Sequence, residues 1–69
     1  MNIERMLVDL SNDHYVAIQY DASRRLWQIM TVGPIGNPTP TKHVLSGATL
    51  KEVVREMYLD LKPGTVHAG

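Results

Sequence analysis

The chain has no cysteine. A disulfide framework and thiolate metal sites are therefore excluded, and a reducing compartment is expected. Long apolar runs are missing too. The longest, Tyr15-Val16-Ala17-Ile18, is far short of the roughly 20 residues that span a bilayer as a helix. The opening residues lack the basic start and apolar stretch of a secretory signal, so a cytoplasmic location is expected. Neither sign of charge is in excess: 7 Lys and Arg balance 7 Asp and Glu. Phosphate neutralisation supplies most non-specific affinity for nucleic acid, so nucleic-acid-binding domains usually carry net positive charge. Zero net charge weighs against that class but leaves a local patch open.

The motifs of catalysis and cofactor binding are equally scarce. His14, His43 and His67 do not stand at metal-ligand spacing, and there is no H-E-x-x-H. Ser11, Ser23 and Ser46 lie in no G-x-S-x-G elbow. Gly33 and Gly36 sit among prolines, without the Lys-Ser/Thr of a phosphate loop. Glu52 and Glu56 fall on the outer face of a helix, where burial will not tune their acidity. No enzyme activity, metal or cofactor is expected. With 69 residues the chain can build one domain with a modest core.

What is present organises well. Leu50, Val53, Val54, Met57, Tyr58 and Leu61 follow helical spacing and form one apolar stripe. Thr49 and Glu52 make a T-x-x-E capping box, and Pro63-Gly64 is a stop signal. The spacing predicts a helix over about residues 49–62, with 63–69 as a frayed tail. Residues 14–20 and 26–32 are rich in β-branched and aromatic side chains, and the polar stretch between them suits a hairpin loop. The three prolines and two glycines of residues 33–41 predict a loop. Residues 42–45 follow as a short third strand, with Ser46-Gly47 turning into the helix. The N-terminal segment fits two patterns. Ile3, Met6, Leu7 and Leu10 suit a helix capped by Asn2, whereas Met6, Val8 and Leu10 suit one face of a strand. The expected fold is α+β: a three-stranded antiparallel sheet packed by a C-terminal amphipathic helix.

Neither face of the hairpin is cleanly polar. Val16, Ile18 and Tyr20 alternate with Tyr15, Ala17 and Gln19; Trp27, Ile29 and Thr31 alternate with Leu26, Gln28, Met30 and Val32. One helix covers one face. The other is either covered by the N-terminal segment or free to bind a partner. On the helix, Lys51, Arg55 and Lys62 form a basic stripe beside Glu52, Glu56 and Asp60, and Leu59 points outward. These features point to a small non-catalytic interaction protein (an inhibitor, adaptor or modulator) that binds a protein partner or a second copy. Its candidate contacts are Tyr15, Leu26, Met30, Val32, Lys51, Arg55 and Leu59. Short cysteine-free chains of this kind are frequent among bacterial and phage accessory proteins. The alternative is a nucleic-acid-binding module that uses Arg24 and Arg25 at the hairpin tip with Trp27 and Lys42.

Overall fold

In the computed structural model, which describes residues 2–61, Asn2 decides the N-terminal ambiguity. Its Oδ1 accepts the Arg5 N–H at 2.8 Å and caps helix α1, Ile3–Asp13. The strand alternative would bury Val8 beside Met6 and Leu10. Instead Val8 is 56% exposed while Leu10 is fully buried, as the helical period requires.

A single residue, His14, joins α1 to strand β1, Tyr15–Asp21. β1 pairs antiparallel with β2, Leu26–Gly33, in an unbroken register from Tyr15↔Val32 to Asp21↔Leu26. β2 pairs in turn with β3, Thr41–Gly47, which makes an antiparallel sheet of order β1-β2-β3. Helix α2, Leu50–Leu61, closes the described chain. Its capping box forms: Thr49 Oγ1 accepts the Glu52 N–H and Glu52 Oε1 accepts the Ala48 N–H, both at 3.1 Å. Residue 62 and the expected tail 63–69 lie outside the described residues.

The expected fold class is found, with several shifts of boundary. Asp21, expected in the hairpin loop, pairs with Leu26 and ends β1. His14 belongs to the end of α1, where its N–H bonds the Leu10 carbonyl, and not to β1. Gly33 and Thr41 pair with each other and extend the ladder into what was expected to be loop. Ser46 and Gly47 continue β3 instead of turning, because β2 still offers Gln28 and Trp27 as partners. Gly47 can do this only without a side chain. A Cβ there would lie 2.8 Å from Glu52 Oε1 and 2.9 Å from Val53 Cγ1.

Both helices pack on one side of the sheet. Met6 and Leu10 of α1 meet Val53, Val54 and Met57 of α2 over Ile29 of β2. Each such buried side chain contributes about 1.5–3 kcal/mol. Thr31 is also buried there, and its hydroxyl lies 3.5 Å from the Met57 sulfur, a weak acceptor. The side of α1 is set by its short tether. The Asp13 carbonyl accepts the Ile35 N–H at 2.7 Å, and the buried His14 ring packs on Gly33, where an added Cβ would be 2.8 Å away.

The hairpin tip is held by Asp21. Its Oδ1 accepts from the Ser23 hydroxyl at 2.7 Å and from the Ser23 and Arg24 N–H groups. Those bonds, the Ser23 hydroxyl first, hold its carboxyl below the usual carboxylate range. Arg25 then carries φ of 56°, a left-handed conformation that disfavours a side chain. Arg25→Gly is expected to raise stability by about 0.5–1 kcal/mol, read from the urea midpoint. No gain would mean that the tip relaxes out of this conformation.

Candidate protein-binding face

Because α1 and α2 share one side, the other side of the sheet has no second layer among the described residues. Alternation places Tyr15, Ala17, Gln19 and Asp21 of β1 on it. Leu26, Gln28, Met30 and Val32 come from β2, and Lys42, Val44 and Ser46 from β3. Tyr15 is 67% exposed and Val44 45%. Met30 and Val32 are half-buried. Gln19 Nε2 donates to Gln28 Oε1 at 3.1 Å across the strands. A shallow depression of about 210 Å³ sits over Ala17, Gln19, Gln28, Met30, Lys42 and Val44. Lys42 and Asp21 stand at opposite ends of the face, since Lys42 lies opposite Val32 and Asp21 opposite Leu26.

The structure divides the seven residues expected to bind a partner. Tyr15, Leu26, Met30 and Val32 come together on this bare face. Lys51, Arg55 and Leu59 lie on α2, across the sheet from it, beside Ile3, Met6 and Tyr58 in a groove between the helices. The two charge stripes expected on α2 are also partly spoken for. Glu52 folds back to cap the helix, and Asp60 Oδ2 stands 3.7 Å from His43 Nδ1. Lys62, the last member of the basic stripe, lies outside the described residues.

The four residues of the nucleic-acid alternative are not brought together. Trp27 faces the helices, packs against the core and stacks obliquely on Tyr20, with ring centroids 5.0 Å apart. Lys42 points to the opposite face. Register puts it beside Val32, six residues along β2 from Leu26, or about 20 Å from the hairpin tip. Arg24 and Arg25 remain as an exposed charged turn.

Sequence reasoning missed Val44 as a member of the face, and it left Ala17, which alternation sets beside Tyr15, out of the candidate contacts. The signal was present in the alternation of Lys42-His43-Val44-Leu45, but it has no meaning until the register with β2 is known. It also missed the join between the helices. Tyr58 Oη donates to Asp9 Oδ2 at 3.1 Å, and Arg5 Nε lies 3.6 Å from the other carboxylate oxygen. Partial burial pushes the Tyr58 phenol above its ordinary 10.0, and the bond to Asp9 adds to the shift. Folding thus favours the protonated phenol. Its contribution is complete below pH 10.0 and is lost as pH rises through the raised folded value. Tyr58→Phe is expected to flatten the loss of stability above that pH, read from urea midpoints between neutral pH and about 11.

The chain matches no protein-family model, no curated protein and no solved structure. Among the described residues, no three His, Asp or Glu side chains converge as metal ligands, and no helix is long and apolar enough to cross a membrane. The bare sheet face is a feature that fold stability leaves unexplained.

Proposed function

We propose that this chain is a small, non-catalytic protein-interaction module of the cytoplasm that binds a protein partner through the bare sheet face. One observation carries the reading. Both helices lie on the same side of the sheet, so no described residue layers the face that carries Tyr15, Ala17, Met30, Val32 and Val44, and Tyr15 and Val44 are well exposed there. Contiguous exposed apolar patches rimmed by polar residues mark interaction sites. The fitting partner presents an apolar patch of its own, with an acidic group toward Lys42. An inhibitor, adaptor or modulator acts by covering a partner's surface in this way. The nucleic-acid reading is weaker, because its aromatic and basic residues point to different faces and ends of the sheet.

The test is site-specific photo-crosslinking in cells that express the chain. A photoreactive side chain at Met30 is expected to capture one defined protein, and one at Leu59 is not. Equal capture at both positions would remove the sheet face as the site. Capture at Leu59 alone would move the site to α2.

A further inference from the structure

β1 is an edge of the sheet, and no described residue pairs with its outer side. Natural edge strands are kept apart by lysines, prolines and bulges. β1 has none of these. Its register with β2 is continuous, and its one charge, Asp21, is its last residue. The other edge is protected: β3 carries Lys42 and His43 and is entered from Pro40. Exposed apolar side chains also gather on β1. Tyr15 projects on the bare face, and Ile18 and Tyr20 project on the helix side beyond the cover of α1. An open edge with apolar groups above and below recruits another strand through its backbone.

The sequence of β1 selects which strand. A two-fold axis perpendicular to the sheet at Ile18 lays β1 antiparallel against β1 of a second copy. Ile18 then faces its own counterpart, Val16 faces Tyr20 and Ala17 faces Gln19. These β-branched and aromatic neighbours are favourable cross-strand pairs. The terminal Asp21 meets the Tyr15 phenol, whose O–H is a donor, and not another carboxylate. Zero net charge leaves no long-range repulsion between copies. Area points the same way. Three strands of seven or eight residues offer about 350 Å² of projected face, a small footprint for a partner. Two sheets joined at β1 present a continuous six-stranded face of about twice that size. We propose that the chain self-associates edge to edge through β1, forming a two-fold six-stranded sheet whose joined bare face meets the partner.

The association itself is read on the purified chain with no partner present, so its failure is distinct from failure of the binding face. The absence of native cysteine makes the test clean. Ile18→Cys puts two thiols side by side on the axis, and Val8→Cys puts one on the outer side of α1. Under mild oxidation the first is expected to form covalent dimers at least about tenfold faster. Ile18→Lys puts like charges directly opposite and is expected to weaken association at least about tenfold, read by light scattering across concentration. Equal cross-linking rates at the two positions, or a wild-type chain that stays monomeric at every concentration, would overturn the proposal. Should Ile18→Cys fail to fold, hydrogen exchange of the wild type decides. Protection of β1 amides that grows with concentration supports the pairing. Protection that is constant, or absent throughout, contradicts it.

Discussion

Leu10→Ala is expected to cost about 3 kcal/mol and to move the unfolding midpoint far toward low urea. Leu10 has no exposed surface and sits where α1 meets α2 and the sheet. Truncation removes its transfer energy and leaves a cavity that two helices and a sheet cannot collapse to fill. A domain of this length has about 3–10 kcal/mol of total stability, so the loss is a large part of the whole. The measurement is a urea transition followed by far-ultraviolet circular dichroism. The same substitution separates two architectures. If α1 were a detachable cover over the far face, its loss would leave the hairpin and α2 folded, and only the helical signal would fall. Because α1 shares the core with α2, helix and sheet signals are expected to disappear together.

Met30→Glu is expected to do the reverse. It should weaken partner binding by about 30-fold or more, the effect of a central apolar anchor, while costing less than about 1 kcal/mol of stability. Met30 lies mid-sheet on the bare face, between Ala17 and Val44. A carboxylate there keeps access to water in the free chain and can reach toward Lys42. In a complex it would be buried against an apolar surface without a partner, and that is expensive. Tyr15→Ala at the end of the face should behave alike with a smaller loss. Binding and stability are measured on the same preparations, by titration with the captured partner and by urea unfolding. Unfolding caused by Met30→Glu would mean that Met30 is core and that something covers the face.

The C-terminal helix was legible because two independent signals agreed: apolar spacing from Leu50 to Leu61, and the Thr49–Glu52 cap. The hairpin was legible from β-branched and aromatic content alone. The N-terminal segment was not, because Met6, Val8 and Leu10 satisfy a strand period and a helical one at once. Asn2 tips the balance locally, and burial of Leu10 with exposure of Val8 completes it. Which side α1 would take was beyond sequence reasoning. It depends on a one-residue connector, His14, and on the close approach of its ring to Gly33, both consequences of chain geometry.

The candidate site was legible in the same measure. Tyr15, Leu26, Met30 and Val32 share a face by the simple alternation of two strands, and that survived folding. Grouping Lys51, Arg55 and Leu59 with them required knowing which side α2 covers. α2 must turn its apolar stripe to the sheet, so its charged residues end up on the far side of the molecule. The basic cluster failed for a related reason. Lys42 is near the hairpin in sequence, but register carries it to the other end of the sheet, and pleating turns Trp27 and Lys42 to opposite faces.

The bare face has a direct chemical probe in the methionines of the described chain. Met57 is fully buried, Met6 nearly so, and Met30 lies on the bare face with part of its surface in water. Limited peroxide treatment of the free protein, followed by peptide mass spectrometry, gives a rate for each. Met30 is expected to oxidise much faster than Met6 and Met57. A Met30 as slow as Met57 would place a second layer on that face and contradict the account.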